Sequence, residues 1–325
     1  MKSFLYLPLL LAAAAAPAFA QHPPSVTQCG EPSAGTINYE AIVKKYADPD
    51  SKFAVLEGLD GINTHYKDEG DGPAVLLVHS SSGDLKDYDP WVARLKDRYR
   101  VVRLDLPAFG LTGAVPSGNY SIDRYLMLVD ALMDHLDIKQ FAIAGTSYGG
   151  LVAFRYASTR QDRVTALVLQ NSAGVEYGGR RGTDERPRDF TMAFKPRAVT
   201  TDGFEKMLKI MINDPDQVTP ELVARKTDYA NVIGRDCESF VAGRLYERGN
   251  PERVLSHVRA PALVLWGGDS NGLSVSTAEA FAAALVNAPI VKKIVYEGGG
   301  HFIHIERPEE TAKDVRAFLD QHLNG

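Results

Sequence analysis

Short apolar runs recur along the chain and alternate with amphipathic stretches. Residues 74–78 and 262–266 are continuous apolar runs, as expected of strands buried on both faces of a parallel sheet. Residues 122–136 instead carry apolar side chains at intervals of three and four, which predicts an amphipathic helix. The alternation predicts an α/β fold with a mostly parallel, doubly wound sheet covered by helices on both sides.

The same patterns predict the individual elements. A short helical piece near Tyr39–Tyr46 precedes a pair of strands that leads the sheet. The predicted strands are 53–57, 62–67, 74–78, 101–104, 141–144, 164–169, 262–266 and 293–296. The predicted helices are 91–95, 122–136, 151–157, 204–212, 277–285 and 309–322.

The regular alternation stops between about residues 174 and 255. This interval is more charged and holds apolar helical pieces, so we predict a helical cap, inserted at about 175–255, over the carboxyl edge of the sheet. Arginines crowd one part of it, and two interpretations stay open: recognition of a substrate carboxylate, or a solvated, salt-bridged loop. The charged residues there are Arg180, Arg181, Asp184, Glu185, Arg186, Arg188 and Asp189.

Residues 1–20 have the features of a secretory signal peptide. Lys2 supplies the positive start, an apolar run follows, and Ala18-Phe19-Ala20 is a small-residue cleavage site. The segment is too short and wrongly flanked to span a membrane. We therefore expect an exported protein, periplasmic or extracellular and without a membrane anchor, with an irregular arm over 21–50 and its main domain over 51–325.

Charge and cysteine content limit the partners. The 325 residues carry a formal net charge of −5, a mild acidity that argues against nucleic acid and leaves small-molecule substrates open. Two cysteines occur, Cys29 and Cys237. In an oxidising compartment they either pair or remain separate thiols. The sequence decides neither this nor the oligomeric state.

A glycine-rich segment holds the candidate nucleophile. Gly145-Thr146-Ser147-Tyr148-Gly149-Gly150 lies between a predicted strand and a predicted helix. A serine there needs a very tight turn, and glycine two residues before and after it removes the Cβ atoms that would clash. The turn exposes the hydroxyl beside the N–H groups of a helix start. Acyl transfer has these requirements, so Ser147 is the predicted nucleophile.

His301 is the candidate general base. It follows Gly298-Gly299-Gly300 in a loop after the last predicted strand, from which an imidazole can reach back over the sheet. His304 competes for this role but falls in or near a helix. His301, His304 and Glu306 also form an H-x-x-H-x-E pattern, whose metal-binding interpretation lacks a further ligand and its supporting groups. We assign no metal.

The remaining groups of the site are an acid and two oxyanion donors. Asp269 follows a buried strand and gives the chain order serine, acid, histidine; a plain turn residue is the alternative. The oxyanion hole is predicted to use the backbone N–H of Tyr148, just after the nucleophile, and of Ser81, in the loop after the third strand. His79 is expected to hold that loop by hydrogen bonds.

Several short segments together carry a family resemblance. They are Leu76-Leu77-Val78-His79, Asp105-Leu106-Pro107-Ala108-Phe109-Gly110-Leu111-Thr112-Gly113, 145–150, Leu265-Trp266-Gly267-Gly268-Asp269, Gly300-His301 and Glu306-Arg307-Pro308. With them the chain, from about Phe53 to its C-terminus, resembles enzymes of the α/β-hydrolase fold. A serine at 147 instead of an aspartate speaks against the epoxide hydrolase and haloalkane dehalogenase branches, and the resemblance fits carboxylesterases best.

Three departures from the family pattern bear on the site. Ser80 follows His79 where the family has glycine, and Ala108 replaces another glycine, which is tolerable where φ is negative. The family's acid lies three residues after the glycine of Trp-Gly. Ser270 occupies that position here and Asp269 comes one residue early. Either the turn is one residue shorter or the acid comes from elsewhere; Asp269 remains the predicted acid.

These features predict a function. We expect an exported serine hydrolase that cleaves a small-molecule carboxylic ester through Ser147, His301, Asp269 and an acyl-enzyme intermediate, with no cofactor. Two alternatives remain: hydrolysis of another bond (lactone, amide or C–C) by the same residues, and a non-catalytic ligand-binding protein that keeps the fold. The acyl and alcohol specificity stay open.

Overall fold

Strands and helices alternate in the computed structural model, which describes residues 35–175, 198–244, 250–271 and 273–323. The strands are β1 (Lys52–Val55), β2 (Asn63–Glu69), β3 (Ala74–Val78), β4 (Arg100–Leu104), β5 (Phe141–Thr146), β6 (Val164–Gln170), β7 (Ala262–Gly267) and β8 (Val291–Tyr296). The helices are α1 (Tyr39–Tyr46), α2 (Asp89–Leu95), α3 (Ile122–His135), α4 (Tyr148–Thr159), α5 (Thr201–Met211), α6 (Pro220–Ala230), α7 (Arg235–Arg244), α8 (Pro251–Leu255), α9 (Val275–Ala284), α10 (Ile303–Glu306) and α11 (Pro308–His322). A 3-10 helix, Leu85–Tyr88, leads into α2.

These strands form one sheet in the order β1-β2-β4-β3-β5-β6-β7-β8. The leading pair β1 and β2 is antiparallel, as is the pairing of β2 with β4. From β4 to β8 all pairings are parallel. The predicted mostly parallel α/β architecture is confirmed, and the carboxyl ends of the central strands share one edge.

Helices bury both faces of the sheet. On β3, Leu76 and Val78 belong to one apolar cluster, together with residues of α3, α4 and α9. Val75 and Leu77 belong to a second cluster with residues of α2 and α11. Because successive side chains of a strand point to opposite faces, an all-apolar strand is what a doubly covered sheet requires.

The N-terminal helix α1 lies where the sequence predicted it. Asn38 caps it by accepting a hydrogen bond from the N–H of Glu40 at 2.8 Å. Just before it, Ile37 forms a parallel β-bridge with Val232, between α6 and α7. Cys237 of α7 is disulfide-bonded, whereas Cys29 and the predicted signal peptide lie outside the described residues.

Helices α5–α8, here called the cap helices, lie between β6 and β7. Apolar residues of α5 and α6, such as Phe204, Leu208 and Leu222, cluster with Phe302 of the β8–α10 loop, whereas Leu255 of α8 belongs to the sheet cluster. The arginine-rich segment at 180–189 lies outside the described residues. Within the ranges that the structure describes, no helix combines the length and apolarity needed to cross a membrane.

Candidate active site

Ser147 occupies a strained turn between β5 and α4. Its backbone has φ 51° and ψ −113°, a conformation that non-glycine residues rarely adopt. Two neighbours hold it there: the Ser147 N–H donates to the Gln170 carbonyl at 3.0 Å, and the Ser147 carbonyl accepts from the Ala173 N–H at 2.9 Å. The end of β6 therefore fixes the turn that presents the hydroxyl.

Glycine is required on both sides of this serine. A Cβ on Gly145 would lie 2.2 Å from the Gly149 carbonyl oxygen, and a Cβ on Gly149 would lie 2.1 Å from the carbonyl oxygen of Val78. These obstacles are backbone atoms, which cannot rotate away as a side chain does. The glycines thus allow α4 to start directly against the end of β3, as the tight turn demands.

His79 holds the loop after β3. Its Nδ1 donates to the Ser80 carbonyl at 2.7 Å, and its Nε2 accepts from the Leu106 N–H at 2.9 Å. The predicted structural role of His79 is confirmed. The Gly83 N–H closes the loop onto the Ser80 carbonyl at 2.9 Å. Ser81 at its tip is exposed, and its N–H donates to no acceptor in the described part of the chain, as an oxyanion donor requires.

Ala108 has a positive φ of 73°. The tolerance expected for a negative φ therefore does not apply, and alanine here carries the strain of a left-handed backbone, about 1–2 kcal/mol. The residue is 1% exposed and lies beside the Ser81 loop in the lining of a cavity. A strained backbone is thus kept next to the candidate site, as it is at Ser147.

His301 lies in the loop after β8, buried at 4% exposure. Its backbone N–H donates to the Met211 carbonyl of α5 at 2.7 Å, so the cap helices take part in holding the histidine. Burial lowers the pKa of the imidazole to about 4, which keeps it neutral and able to accept a proton at neutral pH. No hydrogen bond joins it to Ser147 within the described residues; such bonds commonly tighten only once substrate binds.

The structure does not bring the carboxylate of Asp269 to His301. Asp269 is exposed; its N–H donates to the Gly299 carbonyl at 3.0 Å and its carbonyl accepts from Asn213 Nδ2 at 3.3 Å. The hydroxyl of Ser270 lies 3.3 Å from Nδ1 of His301, at the position that the family pattern reserves for the acid. In this geometry a serine occupies the place predicted for Asp269.

Comparison with known proteins identifies the family of the chain. The model of the alpha/beta hydrolase fold family matches residues 73–308. The chain belongs to the α/β-hydrolase fold family. That range contains the Ser147 turn, the Ser81 loop and His301, so the geometry described above coincides with the matched segment.

Individual relatives add detail. A 2-hydroxy-6-oxononadienedioate/2-hydroxy-6-oxononatrienedioate hydrolase of Paraburkholderia phymatum is 28% identical over 87% of this chain and 97% of its own length. A 2-hydroxy-6-oxo-6-(2'-aminophenyl)hexa-2,4-dienoic acid hydrolase of Metapseudomonas resinovorans is 30% identical over 81% of this chain and 90% of its own. Among solved structures, a bacterial membrane phospholipase A superposes with a TM-score of 0.67 and 27% identity, covering 85% of this chain and 87% of that one.

The other residues of the H-x-x-H-x-E pattern have separate tasks in this hydrolase. His304 is 1% exposed, with Nδ1 2.6 Å from Gln170 Nε2 and its ring 4.9 Å from that of Tyr88. Burial lowers its pKa to about 3. Glu306 accepts from the Gly300 N–H at 3.1 and 3.0 Å and so supports the histidine loop. No group of three such side chains able to hold a metal occurs in the ranges that the structure describes.

A buried charge cluster joins the hydrolase's cap helices to the segment after the Ser81 loop. Arg225 Nε lies 3.1 Å from Asp84 Oδ2, and Arg225 Nη2 lies 3.0 Å from Asp87 Oδ1. Lys226 Nζ lies 2.7 Å from Asp84 and 2.6 Å from Asp87. The sequence reasoning missed this cluster, although Asp84 and Asp87 three residues apart and the adjacent Arg225-Lys226 pair were its visible signal.

A cavity of about 200 Å³ lies between the Ser81 loop and the cap helices. The lining mixes hydroxyls and aromatic rings with the cations Lys226 and Arg235, whereas Ser147 and His301 are not among its residues. It includes Ser81, Ser82, Phe109, Phe204, Tyr229 and Ser239.

Proposed function

We propose that this hydrolase cleaves carboxylic esters by transferring the acyl group to Ser147. The observation that carries the proposal is the strained backbone of Ser147, held between glycines at the end of β5. A strained turn at a hydroxyl is retained where chemistry needs the exposed nucleophile. The resemblance in structure to a protein named as a phospholipase A favours an ester substrate.

The proposed mechanism uses a neutral imidazole as the base. Nε2 of His301 removes the hydroxyl proton as Ser147 Oγ attacks the ester carbonyl. The N–H groups of Tyr148 and Ser81 stabilise the oxyanion, each contributing about 10²–10³ in rate. His301 then donates its proton to the departing alcohol, and in the second half it activates the water that releases the acid.

Cleavage of a C–C bond is the second candidate, favoured by the sequence relatives. Their names describe 2-hydroxy-6-oxo dienoic acids, compounds with a ketone, an enol and carboxylates but no ester. Water can divide such a molecule only at a carbon–carbon bond beside the ketone. The same nucleophile, base and oxyanion donors would serve, so the substrate and not the site distinguishes the two candidates.

Labelling with a fluorophosphonate, followed by a substrate panel, tests the proposal. The purified protein should take up one equivalent, mapped by mass spectrometry to Ser147, and Ser147→Ala should take up none. p-Nitrophenyl esters of two to eight acyl carbons are then compared with 2-hydroxy-6-oxo-6-phenylhexa-2,4-dienoic acid, followed by loss of its colour. Turnover of the dienoic acid alone would favour the second candidate; no label and no turnover would favour a non-catalytic binding protein.

We also propose that the protein is exported. The signal-like segment at 1–20 supports this, and so does the disulfide at Cys237, since disulfides persist in oxidising compartments. Expression of the full chain in a bacterium, followed by N-terminal sequencing of the periplasmic fraction, should give a mature protein that starts at Gln21. Full-length protein confined to the cytoplasm would contradict it.

A further inference from the structure

The imidazole of His301 has a hydroxyl as its hydrogen-bond partner. Ser270 Oγ lies 3.3 Å from Nδ1, and this is the one side-chain hydrogen bond of His301 within the residues that the structure describes. The imidazole is almost fully buried. A buried ring with a single polar contact takes both its orientation and its tautomer from that contact.

The turn after β7 fixes which residue makes this contact. The N–H of Gly268 donates to the Tyr296 carbonyl at 2.8 Å, and the N–H of Asp269 donates to the Gly299 carbonyl at 3.0 Å. A Cβ on Gly267 would lie 2.0 Å from the Gly300 carbonyl oxygen, so the turn presses directly on the histidine loop. This register turns the side chain of Ser270 to the imidazole and leaves that of Asp269 exposed.

We propose that Ser270 is the positioning residue of His301, and that a neutral hydroxyl here does the orienting work that an ionised carboxylate does in the Ser-His-Asp arrangement. This inference rests on the proposed function, because it concerns how the base of that reaction is held. Ser270 touches neither substrate nor the reacting atoms; it acts through the histidine.

The proton transfers balance without a carboxylate beside His301. Nδ1–H of the neutral imidazole donates to Ser270 Oγ, which leaves Nε2 free to accept the proton of Ser147. The imidazolium so formed carries a proton on each nitrogen and gives the Nε2 proton to the departing alkoxide. No net proton is gained. What a hydroxyl does not supply is the negative charge that stabilises the imidazolium between the two transfers.

Other ionisable groups near His301 are already committed. His304, on α10, adds like charge when protonated. Glu306 is bound to the Gly300 and Asn213 N–H groups, the charge of Asp214 acts on Glu306, and Lys226 pairs with Asp84 and Asp87. The burial that lowers the pKa of His301 is therefore not offset by a neighbouring carboxylate.

The test compares four variants of the full chain by the pH profile of kcat/KM on the ester that wild type turns over fastest. Ser270→Ala should lower kcat by about three- to tenfold with little change in KM, the effect of one lost hydrogen bond. Ser270→Thr, which keeps the hydroxyl, should restore most of it. Ser270→Asp should move the acid limb of the profile to higher pH by about one to three units, because a carboxylate favours the imidazolium. Asp269→Asn is the matched control and should stay within about twofold of wild type.

Two results would overturn the inference: a large loss of kcat in Asp269→Asn with Ser270→Ala unaffected, or an unmoved acid limb in Ser270→Asp. Fluorophosphonate labelling keeps this separate from the proposed function. If wild type is labelled at Ser147 and Ser270 proves irrelevant, only the positioning role fails. If wild type is not labelled, the nucleophile itself is wrong.

Discussion

Lys226 of α6 directs its ammonium group at both carboxylate oxygens of Asp87, at 2.7 and 2.6 Å. Burial opposes ionisation of the neighbouring Asp84, but Arg225 and Lys226 outweigh it and hold the pKa of that carboxyl below its usual range. Burial and the charge of Asp84 raise the pKa of Asp87. Buried ion pairs, which water screens little, thus hold α6 of the cap helices beside the Ser81 loop.

Removing the cation of this cluster should destabilise the protein. Lys226→Met leaves two buried carboxylates with one partner, and breaking a buried ion pair costs about 3–5 kcal/mol. The measurement is the free energy of unfolding in urea at pH 7.5. Lys206→Met is the control, since Lys206 pairs with Asp202 at the surface with 72% of its side chain exposed, and should change stability by less than about 0.5 kcal/mol. Equal effects of the two substitutions would show that the buried cluster adds nothing.

Gly149→Ala should disrupt the serine turn. The added methyl group would meet the Val78 carbonyl oxygen at 2.1 Å and that of His79 at 2.5 Å, so α4 has to move away from β3. We expect a loss of about 3 kcal/mol or more, together with loss of fluorophosphonate labelling. Gly113→Ala is the matched control, because a Cβ there meets its neighbours at 3.6 Å. A well-folded, fully labelled Gly149→Ala protein would contradict the tight-turn argument.

Ser147→Ala should separate activity from stability. The side chain is partly exposed and makes no hydrogen bond within the described residues, so the unfolding free energy should stay within about 1 kcal/mol of wild type. Loss of a serine nucleophile lowers kcat by about 10⁶ in a well-studied protease, and we expect a fall of at least about 10³ here. The two readouts are the initial rate of ester hydrolysis and the urea midpoint. Wild-type turnover by this variant would remove Ser147 from the mechanism.

The buried histidines predict how stability depends on pH. The pKa values of His301 and His304 are lowered to about 4 and about 3, below the value of about 6.5 for a free histidine. Between these pKa values, the two histidines therefore bind protons in the unfolded chain but not in the folded chain. Stability should be full well above pH 6.5 and fall towards pH 4 by up to about 3 kcal/mol per pH unit, counting both rings.

Urea unfolding at pH 7.5 and pH 5 measures this slope. Burial raises the pKa of Glu306 above its usual 4.5, so its protonation offsets part of this fall above pH 4.5, and a variant is needed to isolate the histidine contribution. His304→Gln should reduce the slope by about half without touching His301. Activity has a different limit: kcat/KM should stay level down to about pH 5 and fall near pH 4, when the base of the free enzyme becomes protonated. A stability flat between pH 7.5 and 5 would mean that both rings titrate normally.

The elements of the sheet were predictable because their signal is local. The runs at 74–78 and 262–266 carry no polar residue at alternate positions, and β3 and β7 fall on them with boundaries at most one residue different. Ser147 was predictable for the same reason, because so tight a turn requires glycine on both sides of the serine. The position of α1 followed from a short amphipathic stretch and was confirmed.

The partner of His301 was not predictable in the same way. Asp269 and Ser270 are adjacent, and only the hydrogen bonds between the β7 turn and the β8 loop decide which of them faces the imidazole. The cluster around Lys226 joins residues 138 to 142 positions apart, a pairing that no window of sequence contains. Whether Ala108 adopts a positive φ likewise depends on the turn around it, and not on the residue itself.

The turn that ends α5 directly contacts the loop that holds His301. The Met211 carbonyl accepts a hydrogen bond from the backbone N–H of His301, and the side-chain amide of Asn213 donates to the carbonyls of Asp269 and Gly298. A chimera could take its cap helices from another hydrolase to change the substrate range. In this chain such a chimera has to retain the native 211–213 segment, because replacing it would remove hydrogen bonds that position His301 and would change more than the substrate range.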